Sequence, residues 1–193
     1  MSTGTCTIAI VSGLPRTGTS LMMQMLEAGG MEILTDRIRG ADEDNRKGYY
    51  EYEKVKSLKS DQNWLADASG KVIKIISELL KYLPGSYSYK IVFMERNIHE
   101  VLASQEQMLL RRGVDSACEM DDNQMAQIFE KHLAETRSWL EKQPSMETLY
   151  INHSDVLASP LEQAERINSF LRNALDVNHM ASVIDPGLYR QRR

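Results

Sequence analysis

The sequence is poor in the residues that mark specialised classes of protein. Its 193 residues include only two cysteines, Cys6 and Cys118, which lie far apart and match neither a disulfide framework nor a metal-ligand spacing. No apolar run approaches the roughly 20 residues that span a bilayer, and no basic region followed by a long apolar segment opens the chain. We therefore expect a protein of the reducing cytoplasm without a membrane-spanning segment.

Net charge and length set further limits. The formal net charge is −4 and 26% of the residues are charged, so the chain has no global positive charge that would attract nucleic acid or an anionic membrane. A chain of 193 residues can bury one substantial core and is short for two domains. We expect a single domain over residues 1–193, in which any positive charge that binds an anion is local.

A glycine-containing turn lies near the start of the chain. Four apolar residues at 8–11 lead into Gly13 and Gly18, and another apolar segment follows, which is typical of a strand, a tight turn and a buried helix. Glycines let the backbone approach a ligand closely, and the first N–H groups of a helix bind anions. The spacing is nearly that of the Walker A motif, but Thr19 stands where nucleoside triphosphatases have a lysine. The cation of this loop is instead Arg16, whose guanidinium suits phosphate or sulfate oxygens.

A second candidate anion site follows a later strand. The strand predicted at 89–94 ends just before Arg96, and Asn97 with Glu100 three residues later forms a helix-capping pattern. Ser104 lies two turns along this helix on the same face as its start, so Arg96 and Ser104 could reach one anion together. The alternative is that Ser104 is only a small residue at a helix contact.

The two motifs together resemble those of sulfotransferases that use 3′-phosphoadenosine 5′-phosphosulfate (PAPS). Residues 14–20, Leu-Pro-Arg-Thr-Gly-Thr-Ser, are similar to the 5′-phosphosulfate loop of that family. Residues 96–104 are similar to its 3′-phosphate motif, with the arginine and the serine eight positions apart. Further similarity runs through residues 45–51 and the end of the chain, and the resemblance is to small bacterial sulfotransferase-like proteins in particular.

This resemblance implies a fold, a reaction and a set of site residues. The fold is α/β, with three layers (α/β/α), a central parallel sheet and a nucleotide site of the P-loop type; the alternation of strands and helices along the chain also indicates a parallel sheet. The reaction transfers a sulfuryl group from PAPS to a hydroxyl or amine of an acceptor and releases 3′-phosphoadenosine 5′-phosphate (PAP), with no metal. The residues implied to hold the 5′-phosphosulfate are Gly13, Pro15, Arg16, Thr17, Gly18, Thr19 and Ser20. Arg96 and Ser104 are implied to hold the 3′-phosphate.

The resemblance does not supply a catalytic base. Where many members of the family have Lys-Thr-His, this chain has Lys-Ile-Ile at 74–76. Glu51 is our candidate for the base, because it lies beside a charged segment at 31–48 that is either a lid or a solvated surface loop. Glu51 could instead merely favour the dipole of a helix, and the alternative bases are Glu53, His153 and the acceptor itself.

Lys74 also has two interpretations. It either sits at a strand end with its ammonium in solvent, or it reaches the site and stabilises charge on the bridging oxygen during transfer, as the resemblance implies.

Two other functions of the protein stay open as well. One is a small-molecule kinase with a P-loop, and the other is a non-catalytic protein that binds PAP or another nucleotide. The sequence does not identify the acceptor, which could be a small molecule or any other molecule with a hydroxyl or amine.

The remaining elements follow from periodicity. We predict helices over 49–58, over 121–142 and from Ser159 onward, a turn region at 61–69, and strands at 71–76 and 148–151. One face of the helix over 121–142 is expected to be core. Its members are Met125, Ile128, Phe129, His132, Leu133, Thr136, Trp139 and Leu140. The basic tail at 188–193 is expected to be solvated.

Overall fold

A parallel sheet forms the centre of the computed structural model, which describes residues 7–36, 38, 48–111, 113, 121–172 and 174–184. The strands within these ranges are β1 (Thr7–Gly13), β2 (Val72–Lys74), β3 (Ser88–Glu95) and β4 (Met146–Asn152). They pair in parallel in the order β2-β1-β3-β4. Each was predicted from the sequence, although β2 is shorter than the predicted strand at 71–76.

Helices cover both faces of this sheet. The α-helices in the described ranges are α1 (Thr19–Ala28), α2 (Ile98–Arg111), α3 (Asp122–Leu140), α4 (His153–Ala158), α5 (Pro160–Leu171) and α6 (Val177–Ser182). Short 3-10 helices span Glu53–Ser57, Asn63–Ala68 and Ser77–Tyr82. None of the helices in the described part of the chain is long and apolar enough to cross a membrane.

Alternation along β1 divides the core into two halves. Ile8 and Ile10 are fully buried in a cluster with the 3-10 helices and the end of α3. Ala9 and Val11 point to the opposite face, where they pack with α1, α5 and α6. Because β1 is covered on both faces, it is an almost continuous apolar run, as is usual for a central parallel strand. The three-layer α/β/α architecture predicted from the sequence is confirmed.

Helix α3 differs in part from its predicted packing. It begins with a capping box in which the Asp121 carboxylate accepts the Gln124 N–H and the Gln124 side chain accepts the Asp121 N–H. Thr136 and Leu140 are buried as expected, but Ile128, expected in the core, is 48% exposed. The helix meets the sheet mainly through its C-terminal half, so the apolar stripe is core only there.

The segment after Gly48 is not the α-helix predicted for 49–58. Only Glu53–Ser57 is helical, and it is a 3-10 helix. Tyr50 has a left-handed backbone (φ 53°), which an α-helix cannot accommodate. The turn region predicted at 61–69 contains a 3-10 helix as well. Tertiary contacts of this segment, described below, therefore outweigh its local helical propensity.

Some sequence-based predictions lie outside the described residues. These are the structure of most of the 31–48 segment, the solvated tail at 188–193, and the state of Cys6 and Cys118. The single domain over 1–193 also stays a prediction. In the described part, residues 31–36 have no helix, and Ile33 bridges to Val72 beside the outer edge of β2.

Candidate active site

The β1–α1 loop (residues 14–18) leaves the sheet through a turn that requires glycine at both ends. Gly13 and Gly18 have φ values of 144° and 94°, which L side chains rarely adopt. A Cβ on Gly13 would lie 2.6 Å from the backbone oxygen of Met94 on β3, and one on Gly18 would lie 2.5 Å from Cδ2 of His153. The two predicted glycines therefore bring the backbone against its neighbours and place the start of α1 at the sheet edge.

Two further residues fix the shape of this loop. The Thr17 hydroxyl donates to the Leu14 carbonyl at 2.7 Å, and the Thr17 N–H donates to the same oxygen at 3.3 Å. Thr17 is only 2% exposed, so its side chain closes the turn. The backbone of Arg16 is in the left-handed region (φ 74°). This conformation costs of order 1–3 kcal/mol and persists only where the surrounding structure stabilises it.

Those surroundings come from the second predicted motif. Arg96 donates through Nη1 to the Arg16 carbonyl at 3.1 Å, and Arg16 donates through Nε to the Ser104 hydroxyl at 3.0 Å. The Arg96 Nε also bonds Glu100 Oε2 at 2.9 Å. Arg96, just before α2, and Ser104, within α2, therefore bind Arg16 at its backbone and at its guanidinium respectively. The two anion motifs, about 80 residues apart in sequence, form one connected network.

Lys74 lies at the end of β2, the strand at one edge of the four-stranded sheet, and it reaches the site. Its ammonium donates to the Tyr49 carbonyl, and the Ser20 hydroxyl approaches the same oxygen at 3.4 Å. Tyr50, the next residue, donates from its phenol to Glu27 on α1. These contacts dock the backbone of residues 49–50 between β2 and α1, which explains why this segment does not form a helix.

A cavity of about 570 Å³ opens in front of these groups. It is lined by Pro15, Arg16, Gly18, Thr19, Ser20, Leu21, Tyr49, Glu51, Tyr52, Val55, Lys56, Lys74, Ile76, Leu79, Arg96, Gln105 and Met108. Most of the predicted site residues meet in this wall. Gly13, Thr17 and Ser104 stand behind it, where they shape the loop and hold Arg16.

Glu51, the candidate base, lies in the cavity wall together with Lys56 and Lys74. Its backbone oxygen accepts the Thr35 hydroxyl at 2.8 Å and the Asp36 N–H at 3.3 Å. These bonds join the two described ends of the charged segment beside the cavity. The backbone of Glu51 is thereby held in place by tertiary contacts rather than by a helix.

The two alternative bases occupy other places. Glu53 is exposed and pairs with Lys56 at 2.8 Å, outside the cavity wall. His153 begins α4 and is 8% exposed, behind the loop and against Gly18. Burial lowers the pKa of His153 to about 4, and the positive charge of Arg96 acts in the same direction while Glu100 opposes it. At neutral pH this imidazole is therefore an uncharged packing group of the loop.

The apolar part of the cavity was not predicted from the sequence. Val55, Ile76, Leu79 and Met108 come from three separate segments, so no motif in the sequence joins them. Ile76 was noted only as the residue standing where a histidine was expected, yet it is 43% exposed at this surface. Among the described residues, no group of three or more His, Cys, Asp or Glu side chains is placed to hold a metal ion.

The fold is similar to that of several solved structures. A sulfotransferase domain from the curacin biosynthetic pathway superimposes with a TM-score of 0.54 at 15% identity, covering 94% of this chain and 84% of that one. Sulfotransferase STF9 from Mycobacterium avium gives 0.59 at 12% identity, covering 96% and 69%. Mouse sulfotransferase SULT7A1, solved in complex with PAP, gives 0.57 at 17% identity, covering 91% and 62%. No family model and no curated protein matches the sequence. At these identities the comparison shows that the chain has the sulfotransferase fold.

The close approach at Gly13 predicts a specific sensitivity to substitution. Gly13→Ala should lower the free energy of unfolding by more than about 2 kcal/mol. The new Cβ would clash with the Met94 backbone oxygen, and alanine disfavours the φ angle at this position. Gly30→Ala is the matched control, since Gly30 also has a positive φ but no atom within 4 Å of the added Cβ, and should cost only about 1 kcal/mol. Urea denaturation measures both. Equal losses would show that the contact with β3 is not tight.

The low pKa of His153 predicts a loss of stability in mild acid. The unfolded imidazole binds a proton near pH 6.5 and the folded one only near pH 4, so the unfolded state binds more protons as the pH falls through this window. Between pH 7 and pH 5 this linkage should remove about 2 kcal/mol of stability. His153→Gln should abolish that part of the pH dependence, and His99→Gln, at an exposed position, should leave it unchanged. Chemical denaturation at the two pH values measures the free energy of unfolding. If its change between pH 7 and pH 5 were the same in His153→Gln as in the parent, His153 would not be the group responsible.

Proposed function

We propose that this protein is a sulfotransferase that moves a sulfuryl group from PAPS to a hydroxyl or amine of an acceptor and releases PAP. The observation that carries the proposal is the joining of two anion motifs at one sheet edge by the 3.0 Å bond from Arg16 to Ser104. PAPS has an anionic group at its 5′ end and a separate phosphate on its ribose. A single ligand with two anionic ends matches a site with two anion motifs.

The shape of the β1–α1 loop supports the same ligand class. The Gly18 position lacks a side chain and precedes the first turn of α1, where helix geometry leaves N–H groups without intrahelical partners. Such groups bind phosphate or sulfate oxygens, and Thr19 and Ser20 add hydroxyls in the cavity wall. The sulfotransferase fold, shared with a mouse protein that was solved with PAP, adds support.

The residues of the wall suggest how transfer would proceed. Bound PAPS supplies an activated sulfuryl group. The acceptor oxygen or nitrogen forms a bond to sulfur while the bond from sulfur to the bridging oxygen breaks, and that oxygen keeps the electron pair. Arg16 and Lys74 would stabilise the negative charge that develops on the departing phosphate. Glu51 would take the proton that the acceptor loses.

The apolar part of the cavity would receive the body of the acceptor. Beyond the loop, the wall consists largely of Tyr52, Val55, Ile76, Leu79 and Met108. Burying an apolar body against these side chains contributes roughly 25 cal/mol per Å² of apolar surface. We infer that the acceptor presents its hydroxyl or amine on an apolar framework, while Glu51 and Lys74 stand at the polar end of the cavity.

Nucleotide preference tests the proposal against a kinase. PAP should bind at least tenfold more tightly than ATP, with or without Mg²⁺, because Thr19 replaces the lysine that binds the β- and γ-phosphates in P-loop kinases. Calorimetry with PAP, ADP and ATP, each with Mg²⁺ and with a chelator, measures this preference. Tighter binding of ATP with Mg²⁺ would overturn the sulfotransferase proposal. Binding of PAP without sulfuryl transfer to any member of an acceptor panel would favour a non-catalytic nucleotide-binding protein.

The role of Glu51 is testable once an acceptor is found. Glu51→Gln should lower turnover by roughly 10²- to 10⁴-fold, since the amide cannot accept the acceptor's proton, while PAP affinity stays unchanged. Glu78→Gln is a suitable control, because Glu78 is exposed and absent from the cavity wall. Steady-state rates together with PAP titrations provide the readout. Turnover within a few-fold of the parent would show that Glu51 is not the base.

A further inference from the structure

Glu100 does not have the partner that its place in the sequence predicts. In a capping box the side chain at this position turns back to the N–H of the capping residue. Here Asn97 caps α2 alone, with its side-chain oxygen accepting the N–H of His99 at 2.9 Å and that of Glu100 at 3.4 Å. The Glu100 carboxylate instead bonds the Arg96 Nε at 2.9 Å. The helix start therefore does not need a carboxylate at residue 100.

This carboxylate lies where it opposes the binding of an anion. The Arg96 and Glu100 side chains are only 10% and 12% exposed, so water screens their charges weakly. Arg96 is the cation that the resemblance to PAPS-dependent sulfotransferases assigns to the 3′-phosphate, and the proposed function retains this role. A phosphate that approaches Arg96 is attracted by the guanidinium and repelled by the carboxylate beside it, so its net attraction is smaller than an arginine alone would give.

The same contact also fixes the plane of the guanidinium. Nε is directed at Glu100 and Nη1 is directed at the Arg16 carbonyl. A planar group held at two of its nitrogens has a fixed orientation. Glu100 therefore orients Arg96 and offsets its charge at the same time.

We propose that Glu100 is a positioning residue that limits the affinity for the 3′-phosphate, so that PAP is oriented by Arg96 yet leaves readily after transfer. This inference rests on the proposed function. Product release limits turnover in many enzymes, and a buried carboxylate beside the main phosphate-binding cation is a direct way to speed it. The carboxylate should have little influence on ligands that carry a phosphate only at the 5′ position.

The test compares two ligands in one variant. Glu100→Gln keeps an oxygen that can accept the Arg96 Nε and removes the negative charge. PAP affinity should rise about tenfold, the effect expected of one unit charge several Å away at a partly buried site. The affinity for adenosine 5′-phosphate, which lacks the 3′-phosphate, should stay within about twofold. Glu106→Gln, at an exposed position of the same helix, controls for the change in net charge and should alter neither affinity.

A second measurement separates this role from a purely structural one. Stopped-flow displacement of PAP should show a slower release from Glu100→Gln, and circular dichroism in the absence of ligand should show that the variant is folded. If Glu100→Gln does not fold, Glu100→Asp draws the carboxylate back by one methylene and should still tighten PAP binding about two- to threefold. Unchanged or weaker PAP binding in a folded variant would overturn this inference alone. A parent protein that prefers ATP to PAP would instead overturn the proposed function.

Discussion

The register between β1 and β3 is the constraint on which the site depends. It places Gly13 opposite Met94, so the β1–α1 loop leaves the sheet directly beside the residues that follow β3. Those residues include Arg96, and the pairing of Glu95 with Asn152 brings the start of α4 to the same edge. Because side chains change faces with each residue along a strand, a shift of one position would misplace both the loop and its arginine.

Arg16, Arg96 and Lys74, the three cations assigned to the ligand, each have a bonding partner within the protein. The Arg16 guanidinium bonds helix α2, that of Arg96 bonds Glu100, and the Lys74 ammonium bonds the carbonyl of Tyr49. A buried charge without such a partner would be costly, because it would lose its hydration without compensation. The partners keep the cations oriented before a ligand arrives. A ligand that binds these cations must also compete with their partners in the protein, so the affinity for the ligand depends on the partners as much as on the cations.

The local signals in the sequence predicted much of this arrangement. Gly13 and Gly18 marked a turn whose backbone conformation L side chains rarely adopt, and the eight-residue spacing of Arg96 and Ser104 placed both against Arg16, one just before α2 and the other within it. Predictions failed where a residue's partner lies far away in sequence. Propensity predicted a helix through Tyr50, but the docking of this segment on α1 and β2 imposed a left-handed backbone.

The sequence by itself determined the order of the four described strands along the chain, the tight turn after β1 and the residue types of two anion motifs. These features depend on hydrophobic periodicity and on backbone restrictions within a few residues. Tertiary structure alone decided that Glu100 turns to Arg96, that His153 packs behind Gly18, and that apolar side chains of three segments share one cavity wall. Those pairings depend on the sheet register and on burial, which set distances between residues that no local pattern connects.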